Sequence, residues 1–326
     1  MKPVATRFER KLRVAVVGAG VMGKYHAAVY ASLPQAELVA LVDPDPVNRG
    51  EAAATFGCLA FPDVDSMLSH IEIDAASVAA PTAMHYGLSR CLLEAGVHVL
   101  VEKPVATDVK QAQSLMELSK RSGLILQVGH ITRFYRAVHE LSTEVRNPYL
   151  IEARRLTPSA RIKDVGVILD LMIHDIDIIL RIVKGPVQSV SVAGHMLNGS
   201  PFEDVAAAQI IFESGCIARL LASRVAPDQE RSLVISEPQQ TVRLDFAREP
   251  QTEVTVYRMQ SANGQATQVD RRTVQEDNPL RMELEHFLAR IGRSAQPIGT
   301  LEDDVRSLEL ATRLLAAMEL RRPALA

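Results

Sequence analysis

Apolar and polar positions in the first part of the chain alternate between two periods. Short continuous apolar runs, typical of strands buried on both faces, are separated by amphipathic segments of helical period. Strands are predicted at Leu12–Val17, Glu37–Val42, Cys58–Phe61, Ala75–Ala80, His98–Glu102 and Leu124–Gly129. Helices are predicted at Pro46–Phe56, Val64–His70, Ala83–Ala95 and Asp108–Arg121. This alternation predicts an α/β domain over residues 1–129 with a doubly wound parallel sheet, which binds ligands at the carboxyl ends of its strands.

From about Asn147 the pattern changes to one strand after another. Strands are predicted at Tyr149–Leu156, Val187–Ala193, Val205–Phe212, Cys216–Arg224, Arg231–Ile235, Thr241–Asp245, Val254–Met259 and Gln268–Thr273. Helices are predicted at Gly166–Lys184, Leu280–Ile291 and Leu301–Arg321. We therefore expect residues 130–326 to form an α+β domain with a large, mostly antiparallel open sheet.

The outer face of this second sheet is expected to meet another subunit. Several of its strands, such as VAAAQIIF, are apolar at successive positions and so on both faces. A homodimer or homotetramer is the expected assembly, with the second domain serving both substrate binding and oligomerisation.

Composition agrees with two domains and excludes several classes of protein. A chain of 326 residues exceeds what one hydrophobic core usually fills. The formal net charge is −3 and there is no long Lys/Arg run, which argues against nucleic-acid binding. Three widely spaced cysteines argue against a disulfide framework or a metal cluster. With no signal peptide and no run apolar enough to span a bilayer, we expect a cytoplasmic protein away from membranes.

A glycine motif follows the first strand and opens a helix. Gly18, Gly20 and Gly23 fit the spacing GxGxxG, with Val21 and Met22 between the last two. The first glycine permits a tight turn, the second lets a pyrophosphate approach the backbone, and the third lets helix and strand pack closely. The phosphates would sit on the free N–H groups of the helix start. The motif predicts a dinucleotide-binding Rossmann domain.

The second strand supports this prediction and favours one cofactor. It ends in Asp43, about twenty residues beyond Gly23, where a carboxylate would bind the ribose hydroxyls. A carboxylate there would repel a 2′-phosphate, so NAD is favoured over NADP.

Two further strand ends carry candidate cofactor contacts. Pro81, Thr82 and His85 follow the fourth strand, and Glu102 and Lys103 stand at the end of the fifth. In a doubly wound sheet both segments are expected to line the crevice that holds the nicotinamide ring.

The segment GVILDLMIHDIDIILRIVK reads as a buried helix that carries Asp170 and His174 four residues apart. Burying such polar groups without partners costs several kcal/mol, roughly 2 to 7 each, so a chain keeps them mainly for chemistry. The spacing stacks them on one face, where the carboxylate can orient the imidazole. The alternative is a structural ion-pair ladder that continues through Asp177 and Arg181.

The motifs GAGVMGKYH, APTAMH, VEKPV and DLMIHDID, in this order, resemble those of the Gfo/Idh/MocA oxidoreductases. The resemblance covers essentially the whole chain. It implies a domain that delivers NAD(P) to a sugar or polyol held against an open sheet, with the family's motif residues at Lys103, Asp170 and His174. One position departs: relatives that act on free sugars often have Asn after the sixth-strand glycine, where this chain has His130.

Within that family, LDLMIHDIDI and the later SRVAPDQERSLVISEP look most like the bacterial members that oxidise the 3-hydroxyl of UDP-N-acetylglucosamine. The resemblance implies a 3-keto nucleotide sugar as product. It also implies a partner aminotransferase that converts this product to the 3-amino sugar used for lipid A.

Oxidation of an alcohol requires a base and a group that stabilises the developing oxyanion. We expect His174 to be the base, Lys103 to hold the oxygen, and Asp170 to orient both. The reverse assignment, with a neutral Lys103 as base, is less favoured because Asp170 would hold the ammonium charged.

A UDP-sugar also requires cations for its pyrophosphate. Between the sixth strand and the polar helix the chain carries Arg133, Arg136, Arg154, Arg155, Arg161 and Lys163. We expect Arg161 to bind the pyrophosphate, helped by Arg133 or Arg155, and about half of the six to face solvent.

Three functional classes remain open on the sequence. They are the nucleotide-sugar dehydrogenase, an NAD-dependent dehydrogenase of a free polyol or aldose such as myo-inositol, and a non-catalytic NAD sensor. The presence of Lys103, Asp170 and His174 together argues against the sensor.

Overall fold

The chain divides into two compact units. The first comprises the residues up to Ile131 together with Pro279–Val305, and the second comprises Thr132–Asn278 and the chain from Arg306 onward. The computed structural model describes residues 10–158, 164–197, 200–248, 250–259 and 266–321.

The first unit contains a parallel six-stranded sheet in the order β3-β2-β1-β4-β5-β6. Its strands are β1 Leu12–Val17, β2 Ala36–Val42, β3 Leu59–Phe61, β4 Ala75–Val78, β5 His98–Glu102 and β6 Leu126–Gly129. Strand β1 pairs with β2 on one side and β4 on the other, so the strand order reverses beside it. This reversal is the point at which open α/β sheets bind their ligands. The doubly wound parallel sheet expected from the sequence is confirmed.

Helices α1 Val21–Ser32, α2 Pro46–Phe56, α3 Val64–His70, α4 His85–Glu94 and α5 Val109–Ser122 follow the first five strands. Three of them begin with an aspartate whose side chain accepts hydrogen bonds from the first backbone N–H groups: Asp45, Asp63 and Asp108. At α1 the N-cap is Gly20, and the described residues supply no side-chain cap. The N–H groups at the start of this helix are therefore available to a ligand.

A later helix, α8 (Pro279–Ile291), belongs to the first unit, where the sequence prediction of domains 1–129 and 130–326 had placed it in the second. Its apolar face supplies Leu284, Phe287 and Leu288 to the same buried cluster as Val14 and Tyr30. Burial of this face against the Rossmann core accounts for the return of residues 279–305 to the first unit.

The second unit contains a nine-stranded sheet in the order β14-β13-β12-β11-β7-β10-β9-β8-β15. Its strands are β7 Leu150–Leu156, β8 Val187–His195, β9 Val205–Phe212, β10 Ile217–Ser223, β11 Glu230–Glu237, β12 Gln240–Arg248, β13 Gln251–Met259, β14 Ala266–Gln275 and β15 Met318–Arg321. The pairings are antiparallel except β7 with β10 and β8 with β15. The expected large, mostly antiparallel sheet is confirmed.

The helices of the second unit differ from the sequence prediction in three respects. The segment 136–144, left unassigned from the sequence, forms α6 (Arg136–Glu144). Within the predicted helix 166–184, a π-helical turn at Ile168–Met172 precedes α7 (Ile173–Ile182). The last helix, α9, spans Leu301–Ala317, and the residues after it form β15, because they pair with the edge of β8.

Strand β9 shows how the sheet separates its two faces. Ala206, Ala208 and Ile210 are buried, whereas Ala207 and Gln209 between them are exposed. Within one chain, therefore, only one face of VAAAQIIF is buried. A row of apolar residues on the outer face is nevertheless open: Leu150, Ile211 and Ile217, which are cross-strand neighbours.

Among the described residues, no helix combines the length and the hydropathy that crossing a bilayer requires.

Gly23→Ala is expected to destabilise the first unit. A Cβ at Gly23 would lie 1.7 Å from the backbone oxygen of Gly18, whereas no described atom lies within 4 Å of a Cβ at Gly20. Overpacking of this kind costs about 1–3 kcal/mol. Thermal unfolding followed by circular dichroism should show a lower Tm for Gly23→Ala and a nearly unchanged Tm for the control Gly20→Ala. Equal Tm values for the two variants would contradict this interpretation of the turn.

Candidate active site

The glycine turn after β1 is held by the carboxylate that follows β2. Asp43 accepts hydrogen bonds from the backbone N–H of Ala19 at 2.7 Å and of Asp45 at 2.9 Å. Gly18 adopts φ +99°, a conformation that favours glycine, and a Cβ there would lie 2.4 Å from Ala79 O. Asp43 thus fixes the turn and lies beside it. A carboxylate that binds the ribose hydroxyls of a dinucleotide would need this position.

The turn fits a dinucleotide. Gly20 is exposed, and no described atom lies within 4 Å of a Cβ built on it, so a phosphate has room to approach the backbone. Val21 beside it is 53% exposed and Met22 is half-buried. The uncapped N–H groups of α1 and the positive end of the helix dipole favour an anion here.

The segment after β4 divides into an exposed and a buried part. Pro81 is exposed, Thr82 is buried, and His85, the first residue of α4, is 2% exposed. Both ring nitrogens of His85 face backbone oxygens, Nδ1 at 2.7 Å from Pro104 O and Nε2 at 2.9 Å from Ala80 O. His85 was predicted to contact the cofactor, yet its polar ring atoms are already engaged by the protein backbone.

At the end of β5, Glu102 is hydrogen-bonded to a histidine that the sequence interpretation missed. Nε2 of His26, in the second turn of α1, lies 2.9 Å from Glu102 Oε1. Burial raises the pKa of Glu102, but the hydrogen bond and charge of His26, with the charges of Lys103 and His85, outweigh it and hold the pKa below its usual range. Glu102 is therefore an ionised carboxylate next to Lys103, which is half-buried and joined to Pro104 by a cis peptide.

His130, the residue that departs from the family pattern, is buried at the end of β6. Its Nε2 lies 3.6 Å from Asp304 Oδ1, and both side chains are almost fully buried. The imidazole therefore faces a carboxylate of its own unit.

In the second unit, Asp170 lies in the π-helical turn and His174 in the first turn of α7. Asp170 is 8% exposed and His174 is half-buried. Single π-helical turns occur frequently at functional sites. The buried carboxylate of Asp170 thus lies in a kind of turn that is common at functional sites.

Glu203 fixes the start of this helix and was not identified from the sequence. Its side chain accepts a hydrogen bond from Ile168 N–H at 2.9 Å, and its backbone oxygen accepts one from Val167 N–H at 3.1 Å. A Cβ at Gly166 would lie 2.0 Å from the Glu203 carboxyl group, so only glycine permits this approach. Burial raises the pKa of Glu203. Glu203, two residues after Pro201, has no distinctive sequence signal.

Two arginines predicted to bind substrate are instead paired with carboxylates of α7. Arg133 Nε lies 2.9 Å from Asp177 Oδ2, and Arg155 Nη2 lies 2.7 Å from Asp175 Oδ1. Each arginine makes a second hydrogen bond to the same carboxylate, and all four side chains are buried. Bidentate pairs of this kind are geometrically specific. Asp177, considered for a ladder with Arg181 on its own helix, thus has Arg133 of another segment as a partner.

The other predicted cations have surface or undescribed positions. Arg154 is exposed and pairs with Glu230, and Arg136 is exposed beside Glu140. Arg161 and Lys163 lie outside the described residues. Among the residues that the structure does describe, no group of three His, Cys, Asp or Glu is arranged to hold a metal ion.

Comparison with known proteins places this fold among the NAD-binding oxidoreductases. A model described as an oxidoreductase family with an NAD-binding Rossmann fold matches residues 12–130, and a model of the GFO/IDH/MocA C-terminal domain matches residues 137–244. The chain belongs to the Gfo/Idh/MocA oxidoreductase family, and the resemblance stated from its motifs is confirmed.

Two relatives illustrate the range of this family. The UDP-N-acetylglucosamine 3-dehydrogenase of Acidithiobacillus ferrooxidans is 35% identical over 237 residues, 72% of this chain and 74% of the relative. Its solved structure matches with a TM-score of 0.84 at 30% identity, covering 95% of this chain and 98% of that one. The scyllo-inositol 2-dehydrogenase (NAD(+)) of Bacillus subtilis is 30% identical over 236 residues, 67% of this chain and 69% of the relative. The chain is therefore an NAD(P)-dependent sugar oxidoreductase.

Arg155→Met is expected to destabilise the second unit strongly. It leaves the carboxylate of Asp175 buried without its cation, a change that costs about 3–5 kcal/mol. Chemical denaturation should show this loss, and the double variant Arg155→Met/Asp175→Leu should recover part of it. The neighbouring exposed Arg154→Met is the control and should change the free energy of unfolding by less than about 0.5 kcal/mol. If Arg155→Met kept full stability and only raised KM, the arginine would be a substrate ligand.

Proposed function

We propose that this protein oxidises the 3-hydroxyl group of UDP-N-acetylglucosamine to the 3-keto nucleotide sugar, with NAD as the hydride acceptor. The observation that carries the proposal is the likeness to the dehydrogenase of Acidithiobacillus ferrooxidans, which extends over both units at a TM-score of 0.84. The motif residues of the family support it at Lys103, Asp170 and His174.

Gly18, Gly20 and Gly23 would hold the pyrophosphate of NAD, and Asp43 the adenosine ribose. When bound, NAD supplies the site with an acceptor for hydride. NAD is preferred to NADP, because the Asp43 carboxylate would repel a 2′-phosphate.

His174 takes the proton of the 3-hydroxyl, since a sugar hydroxyl is too weak an acid to lose it unaided at neutral pH. Lys103 donates a hydrogen bond to the same oxygen and stabilises its developing negative charge. Asp170 orients the two. Support for its role comes from its burial in a π-helical turn whose start Glu203 fixes.

For the pyrophosphate of the substrate we retain Arg161, on the sequence argument alone. Arg133 and Arg155 were expected as helpers, and their buried pairs with Asp177 and Asp175 favour a structural role instead. A guanidinium whose Nε and Nη2 both bind one buried carboxylate would have to leave that anion unpaired in order to turn the same edge toward substrate.

A second candidate is the NAD-dependent oxidation of a free polyol or aldose such as myo-inositol. The two buried arginine pairs favour it, because they remove two of the three cations expected for a pyrophosphate. The relative that acts on scyllo-inositol, at 30% identity, also favours it.

NADH absorbance decides between the two candidates. Purified protein with NAD is given UDP-N-acetylglucosamine or myo-inositol, together with an aminotransferase that consumes the 3-keto product. We expect NADH to form with UDP-N-acetylglucosamine and not with myo-inositol. Turnover of inositol only would replace the first candidate by the second, and NAD binding without turnover of either would favour the sensor.

His174→Ala is the matched variant in that assay. Loss of a general base lowers the rate by about 10²–10⁴-fold, while the affinity for NAD should change by less than about twofold. A parallel loss of NAD affinity would make the residue structural.

We expect a cytoplasmic partner enzyme, an aminotransferase, to consume the proposed 3-keto product. A 3-amino nucleotide sugar made in this way would serve lipid A synthesis.

We also propose that the protein forms a homodimer or homotetramer through the outer face of the second sheet. Ile217, 36% exposed, stands between Leu150 and Ile211 in the apolar row of that face. Light scattering should give a dimer or tetramer for the native protein and a smaller species for Ile217→Arg. Ser69→Arg, an exposed position of α3, is the control and should leave the mass unchanged. A monomeric native protein would overturn the assembly.

A further inference from the structure

The residues on both sides of Lys103 are each hydrogen-bonded by a buried histidine. Before it, the Glu102 carboxylate lies 2.9 Å from Nε2 of His26. After it, the Pro104 carbonyl oxygen lies 2.7 Å from Nδ1 of His85. The two histidines are 0% and 2% exposed, so neither ring is placed to act on a substrate from solvent.

Within the part of the chain that the structure describes, the His26 ring has a single polar contact, and it is the one to Glu102. Its Nδ1 is buried and has no hydrogen-bond partner among the described residues. Because a carboxylate only accepts, the ring donates to it from Nε2. Complete burial of an imidazole with one nitrogen unused is costly, which indicates that the remaining contact has a purpose.

Glu102 contacts Lys103 as well as His26. Its other oxygen, Oε2, accepts a hydrogen bond from the backbone N–H of Lys103 at 3.3 Å. Room for the carboxylate comes from Gly129 at the end of β6, where a Cβ would lie 3.3 Å from Glu102 Cδ and Oε2. The carboxylate therefore links α1 to the backbone of the lysine.

His85 holds the other side. Its ring joins the oxygen of Ala80, just after β4, to that of Pro104, so it bridges two strand ends. Both partners are carbonyl oxygens, which accept hydrogen bonds from ring N–H groups.

We propose that His26 and His85 are positioning residues that fix Lys103 from both sides through Glu102 and Pro104. The inference rests on the proposed role of Lys103 in catalysis. It links the helix that holds the cofactor phosphates to the residue that holds the reacting oxygen, so that α1 serves both tasks.

Three variants and one control test the proposal. His26→Leu has a similar volume and no donor, and His26→Gln keeps an N–H donor. We expect kcat to fall at least tenfold in His26→Leu and less than threefold in His26→Gln, with the affinity for NADH within twofold of the native value in both. His85→Leu should follow His26→Leu, and His70→Gln, an exposed histidine of the same unit, should match the native enzyme.

A purely structural role predicts a different pattern. NADH affinity and Tm would then fall together with kcat, and His26→Gln would give no rescue, which would overturn the proposal. An unchanged kcat in His26→Leu would overturn it as well.

Hydrogen exchange separates this proposal from the proposed function, since it needs no sugar. In the NADH complex, the amide of Lys103 should exchange several-fold faster in His26→Leu than in the native protein, and at the native rate in His26→Gln and His70→Gln. Faster exchange with no turnover of any sugar would leave the positioning role standing while the proposed function fails. Native exchange at Lys103 in His26→Leu would exclude the positioning role, whatever the substrate.

Discussion

A charge buried away from water must be paired or hydrogen-bonded, and this requirement organises both units of the protein. In the first unit the buried carboxylate of Glu102 is held by His26. In the second, Asp177, Asp175 and Asp204 each hold an arginine, and Arg224 also donates to Val165 O just before the polar helix. The two partners of each pair come from segments that are distant in sequence. Each pair therefore ties one element to another at the places where function is expected.

At the glycine turn after β1, polar backbone groups are left without a side-chain partner and are available to a ligand. The starts of α2, α3 and α5 are satisfied by aspartate caps, whereas the start of α1 is left to its backbone N–H groups behind Gly20. Asp43 contributes to the turn from outside by accepting the N–H of Ala19. The site for an anion thus arises at a helix start without a side-chain cap, in a unit where α2, α3 and α5 each have one.

The arginines illustrate how charge counting along a sequence misleads. A local excess of cations between β6 and α7 suggested a phosphate site, but two of them neutralise carboxylates of α7. The local excess of positive charge is neutralised in the folded protein by Asp175 and Asp177, which lie further along the chain.

Local periodicity and short motifs determined much of this protein. Patterns that extend over about twenty residues of sequence predict the strands and helices of the first unit, the glycine turn and Asp43. Patterns of the same length predict the nine-stranded sheet except β15, and the motif residues Lys103, Asp170 and His174. Tertiary structure alone decided the return of α8 to the first unit, the π-helical turn under Glu203, the edge strand β15 and the pairing of His26 with Glu102. These depend on partners distant in sequence. A residue's own periodicity records that it is buried, and only the fold determines what it is buried against.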